Sequence, residues 1–174
     1  MASSGGKRAA GTDGQDFKYR QRVDDHYKIM AGARKTLKSA ARLQLASALG
    51  LVGAAGVALV LPAPLDTATM GLCVVAAIVS GVAGKSGLGT AQARQPEKQL
   101  GSYSTMCKSQ LASGLLAAGL AAASAVMAES GELSWVAVVC LFAVLGAVGS
   151  ALGLRSAKAL GSAFEEQARK KATQ

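Results

Sequence analysis

Charge is what most of this sequence lacks. No Asp, Glu, Lys or Arg occurs from Leu43 to Leu65, from Thr67 to Gly84, from Ser109 to Ala128 or from Leu133 to Leu154, runs of 23, 18, 20 and 22 residues. A soluble helix needs a polar face toward water, and these runs offer only scattered Ser, Thr and Gln. A helix that crosses a ~30 Å hydrocarbon core needs roughly 20 apolar residues. Four such runs in 174 residues leave little for a separate soluble domain.

Other scarcities narrow the chemistry. Aromatic residues make up 4% of the chain, and there is one histidine and there are three cysteines. A lone His26 without a Cys/His cluster gives no metal site. Cys73, Cys107 and Cys140 are an odd count with no close pair, so no disulfide framework is expected. Cys107 precedes a span, where reversible acylation occurs in some proteins; a plain small thiol is the preferred reading. No ionisable residue falls inside the four runs, which argues against ion-coupled transport, because intramembrane charges are costly and are kept for function. The acidic pairs Asp24/Asp25 and Glu165/Glu166 sit beside basic residues and read as solvated faces rather than acid/base machinery. The segment Gly81 to Ser86, GVAGKS, imitates a P-loop, but that loop needs glycine five positions before the GK pair, and Val79 stands there. Lys85 and Ser86 read instead as the cytosolic end of the second span. No catalytic residue, cofactor or metal ligand is therefore expected.

The charge that is present is basic, +9 overall, and unevenly placed. Lys and Arg number ten before Leu43, four from Lys85 to Lys108 and five from Arg155 onward. The short turns between paired runs carry only Asp66 in one, and Glu129 and Glu132 in the other. Positive charge stays on the cytoplasmic side during insertion. Both tails and the middle segment thus face the cytosol, and parity agrees, since four crossings return the chain to its starting side. Topology accounts for every basic residue, so a nucleic-acid partner is not inferred. No short apolar signal region is visible in the first 42 residues, and Asp13, Asp16, Asp24 and Asp25 argue against a mitochondrial presequence.

The expected architecture is an all-α membrane protein: four transmembrane helices arranged as two antiparallel hairpins, preceded by an amphipathic cytosolic helix. Residues 1–15, small and polar, are expected as a disordered tail. Residues 16–42 form the basic helix, with Val23, Tyr27, Met30, Leu37 and Ala41 at helical spacing on one face. Arg20, Arg22, Lys28, Arg34, Lys35 and Lys38 lie mostly on other faces, suited to membrane-surface or partner contact. Each cation near an anionic leaflet contributes ~1 kcal/mol. The membrane domain covers 43–154, with spans at about 43–61, 67–84, 109–128 and 133–154. Pro62 and Pro64 end the first span. Lys85 to Lys108 is expected as a loop broken by Gly87, Gly89 and Pro96, and 155–174 as a basic tail, helical through Glu166. The two hairpins repeat in layout but not in residues. Gly50, Gly53, Gly149 and Gly153 are candidate helix-packing positions, because small residues let spans approach closely; they suggest a compact bundle or a homo-oligomer.

One stretch is specific in residue order. RAAGTDGQDF from Arg8 to Phe17, then Tyr19-Arg20, Arg22-Val23, His26-Tyr27 and Thr36-Leu37-Lys38, resembles the Jagunal family of endoplasmic-reticulum membrane proteins. The resemblance covers about a fifth of the chain by residue, and the rest by layout. It implies a non-enzymatic role in organising the endoplasmic reticulum and supporting vesicle-mediated transport in the early secretory pathway, with coatomer or other trafficking proteins as partners. Coatomer reads cytosolic lysines at the third and fourth or third and fifth positions from the terminus. Here Lys170 and Lys171 stand fourth and fifth, one register off, and are the candidate retrieval signal. The alternative is a small channel or transporter built from the same bundle.

Overall fold

The computed structural model describes residues 10–60, 67–127 and 133–172. The described residues form four helices: α1 (Ala10–Val60), α2 (Thr67–Gln92), α3 (Glu97–Met127) and α4 (Leu133–Ala172). Residues 1–9, 61–66 with Pro62 and Pro64, 128–132 with Glu129 and Glu132, and 173–174 lie outside the described ones.

The helices pack as a square. α1 and α3 each lie against both α2 and α4, and α2 touches α4 lightly across the diagonal. Sequential neighbours run antiparallel. Gly81 meets Ala48, Gly84 meets Ala41 and Leu45, and Gly87 meets Ala41, so numbers rise on α2 as they fall on α1.

The helices are longer than the charge pattern suggested. First, helix begins at Ala10, within the stretch expected as a disordered tail. Second, the basic helix and the first uncharged run form one helix of 51 residues with no break at residues 42–43, about 77 Å of rise. Third, the expected loop from Lys85 to Lys108 shrinks to 93–96, between Gln92 and Glu97. Gly87 does not break α2: a Cβ there would come within 2.8 Å of the Tyr103 ring, so this glycine serves close packing. Pro96 does act, at the entry to α3, where its missing N–H costs nothing; its carbonyl accepts from the amides of Gln99 at 2.9 Å and Leu100 at 3.1 Å. The C-terminal helix also continues past Glu166, to Ala172.

Among the described residues two stretches are long and apolar enough to cross a membrane, Thr69–Gln92 and Val136–Lys170. The uncharged parts of α1 and α3 each run into residues whose side chains lie outside the described ones, 57–60 in α1 and 124–125 in α3.

Two cores lie along the bundle axis. One, at the uncharged end, is built mainly of small residues: Leu51, Ala54, Cys73, Ala76, Ala77, Ala117, Ala121 and Val139. The other, at the charged end, is bulkier, with Leu37, Leu100, Tyr103, Cys107 and Leu160, flanked by Leu154 and Phe164.

Candidate functional site

Between the two cores lies a buried polar layer to which each helix contributes one residue. Gln44 on α1 and Gln110 on α3 come from the second positions of their uncharged runs. Ser80 on α2 and Ser150 on α4 come four residues before the ends of theirs. All four are at most 3% exposed. The Gln44 Nε2 donates to Ser150 Oγ at 3.2 Å, and Ser150 Oγ donates to Gln110 Oε1 at 2.7 Å. The Gln110 Nε2 donates to Ser80 Oγ, and Ser80 Oγ donates to the Gln44 carbonyl at 2.9 Å. The circuit closes across all four helices.

The circuit also has an approximate two-fold pattern. Each glutamine amide donates to the serine of the other hairpin, and each serine donates to the glutamine of its own. The hairpins therefore repeat in residues here, contrary to the sequence reading. Two isolated Gln and two Ser among some eighty apolar positions carried a weak signal; their matched places within the runs were the clue.

Around the circuit the packing is close. Ser47 Oγ donates to the Phe142 carbonyl at 2.7 Å. A Cβ on Gly146 would lie 2.6 Å from Ser47 Oγ and 2.7 Å from Gln110 Nε2. Interhelical bonds of this kind contribute ~0.6 kcal/mol each on average in membranes, and up to ~1.7. A half-satisfied circuit would leave buried donors unmet, which costs more than the bonds contribute.

On the charged side of the layer stands Tyr103, fully buried. Its ring fits against Gly87 on α2 and Gly153 on α4, and its hydroxyl donates to Gln44 Oε1 at 3.4 Å. Burial, first, and then the neighbouring Cys107 hold this hydroxyl protonated well above the usual tyrosine range. Burial raises the Cys107 thiol too. Its Sγ is fully buried and accepts from Gln44 Nε2 at 3.4 Å. A thiol enclosed in this way offers no access to acylation, in keeping with the plain-thiol reading.

The predicted packing glycines divide. Gly50 faces the Phe142 ring, which any Cβ would overlap; Gly149 lies against the Ala40 carbonyl and Gln44; Gly153 lies against the Tyr103 hydroxyl. Gly53 meets nothing within 4 Å, because it points away from the bundle, and so it is not an intramolecular packing position. Gly84, Gly87 and Gly146, which the sequence reading did not select, are.

The predicted basic contacts lie along α1. Lys28, Lys35 and Lys38 are exposed, and Arg34 is half-buried, its Nε without a partner among the described residues. Arg20 and Arg22 lie on the helix, and their side chains are outside the described ones. Of the apolar face expected to lie on headgroups, Leu37 and Ala41 are buried in the bundle, while Tyr27 is 69% exposed. Protein covers the part of that face nearest the bundle because α2, α3 and α4 continue as helices beside it. At the far end of α4, Lys170 pairs with Glu166 at 2.7 Å; the Lys171 side chain is outside the described ones. Among the described residues no three His, Cys, Asp or Glu gather as a metal site.

Residues 1–77 match the family model described as Jagunal, ER re-organisation during oogenesis. Over that segment, somewhat under half of its length, the chain is similar to the Jagunal family. The matched segment comprises α1 and the first part of α2, and so includes Gln44 but none of its three partners in the circuit. No curated protein and no solved structure matches the chain.

Proposed function

We propose that this chain is a non-enzymatic, four-span protein of the endoplasmic-reticulum membrane that helps organise that membrane and supports early secretory traffic. One observation carries the membrane part. Each of the four uncharged stretches turns bulky aliphatic side chains outward, Leu49 and Val52 on α1, Val75 and Ile78 on α2, Leu115 and Leu116 on α3, Leu141 and Val144 on α4, each more than half exposed, while only Leu51 and Val139 among the described bulky aliphatics of these stretches are fully buried. The interior at the same level is mostly alanine, glycine, serine and glutamine. Water would penalise such a surface, whereas lipid accepts it and rewards small residues between helices. Residues 43–60 of α1 alone rise about 27 Å, close to the ~27 Å core of the endoplasmic-reticulum bilayer. In this reading the basic end of the bundle stands in the cytosol as a helical stalk, with both termini on that side. The hydrogen-bonded circuit fills the bundle axis, which supports a scaffold over a pore.

The family description supports the compartment and the organising role. Lys28, Lys35, Lys38 and Arg34 form the surface or partner contact in this reading, and Lys170 with Lys171 the coatomer contact. The test is depletion of the protein in its own cells, with imaging of endoplasmic-reticulum sheets and tubules and the timing of a secreted reporter. Disordered reticulum and delayed secretion, restored by the full chain, are expected. Normal morphology together with ion or solute flux from liposomes holding the purified chain would overturn the reading in favour of a channel. Serine at Lys170 and Lys171 should shift a tagged protein to later compartments; unchanged location removes the coatomer contact.

A further inference from the structure

Where α2 leaves the proposed membrane level, a cleft of about 400 Å³ opens between it and the start of α3. Lys85, Ser86, Lys98, Gln99 and Ser102 line it, with Val82 at its apolar edge. No acidic residue lines it, and among the described residues neither lysine forms an ion pair. Lys85 is the first charge after an uncharged stretch of 18 residues, so the cleft falls where polar headgroups would lie. Val82, 47% exposed, supplies the apolar edge, and Lys85 and Lys98 are both exposed. Two hydroxyls and an amide add neutral donors. Two cations, hydroxyl donors and an apolar lip match a phosphate carried on a hydrocarbon anchor. The Lys85-Ser86 pair that imitates a nucleotide loop in the sequence is part of this lining.

We propose that this cleft binds the phosphate headgroup of an anionic lipid in the cytoplasmic leaflet. The assignment rests on the four-span reading for its depth in the bilayer. A second cleft supplies an internal control: between α3 and α4, it is lined by Leu100, Ser104, Leu154 and Lys158 and has a single cation.

The experiment is native mass spectrometry of the full chain in detergent, titrated with dioleoyl phosphatidic acid, with dioleoyl phosphatidylcholine and with inorganic phosphate. Two lysines at ~1 kcal/mol each predict a preference of about tenfold or more for the anionic lipid. The exposed double variant K85Q/K98Q should lose that preference, and K158Q should keep most of it. Circular dichroism checks that both variants retain their helices. Equal binding of the two lipids, or an unchanged preference in K85Q/K98Q, overturns the site. Displacement of the lipid by inorganic phosphate at matched concentration overturns the lipid assignment and makes the ligand a free anion. Inserting each variant into microsomes separates the two claims, because a chain that spans the bilayer yet lacks lysine-dependent selectivity sinks the cleft and leaves the topology standing.

Discussion

The two ends of the bundle solve the packing problem in opposite ways. At the charged end, Leu37, Tyr103 and Leu160 are buried while Lys35, Lys38, Lys108 and Lys158 are exposed, the arrangement water demands of any helix bundle. At the uncharged end, alanines fill the middle and Leu49, Ile78, Leu115 and Val144 face out. On the four-span proposal one set of four helices meets two solvents, and the hydrogen-bonded circuit of Gln44, Ser80, Gln110 and Ser150 lies between the two ends. A layer of side-chain hydrogen bonds at that level fixes the register of all four helices where neither bulky packing nor surface charge does so alone.

The comparison breaks most easily at the outward face. Ile78→Asp places a charge where lipid is expected and should cost about 2.5–3.5 kcal/mol of insertion, read as the fraction of chain resisting alkaline extraction from microsomes. The same aspartate at Lys35, on the charged end, should leave insertion unchanged. Equal effects at the two sites would erase the distinction between the ends.

Close packing gives the next effect. Gly146→Leu forces a side chain into Ser47 and Gln110 and should cost about 2–3 kcal/mol or more, measured by thermal unfolding in detergent. Gly53→Leu, with open space before it, should be nearly silent. Smaller again is the circuit itself. Gln110→Leu removes the bonds to Ser80 and Ser150 and should cost about 1–2 kcal/mol. A double-mutant cycle with Ser150→Ala should return a coupling near ~0.6 kcal/mol; no coupling would mean that the bond contributes nothing. The smallest effect concerns pH. Because the folded protein holds the Tyr103 proton more tightly than the unfolded chain does, its contribution to stability is complete below about pH 10, the ordinary tyrosine value, and is lost as pH rises beyond it. Tyr103→Phe should flatten that alkaline loss in unfolding curves recorded between pH 8 and about 11.

The sequence made the large pattern legible for a plain reason. Charge-free runs of membrane length, separated by basic and acidic segments, depend on composition alone, and so does the pairing of helices across short turns. Helix ends were harder. Gly87 and Gly89 looked like breakers between Lys85 and Lys108, yet α2 runs through both because the Tyr103 ring and Ala41 need the space beside Gly87. A glycine for packing and a glycine for turning are the same letter. The circuit was hidden for a related reason: a single glutamine among apolar residues counts as noise until its partner on another helix is known. Gly53 errs the other way, having a packing motif's spacing but no neighbour. The resemblance carried by Arg8–Phe17 and the residues up to Lys38 lies within the segment that the Jagunal family model matches, where residue order is not set by helix periodicity.

The most direct test is cysteine labelling in sealed microsomes, on a background with Cys73, Cys107 and Cys140 replaced. Single cysteines at Leu49, Ile78, Leu115 and Val144 should resist a membrane-impermeant maleimide until detergent is added, while cysteines at Lys28, Lys35 and Lys98 should react at once from outside. Prompt labelling of any of the four aliphatic positions in intact vesicles, or protection of the three lysine positions, would contradict the account.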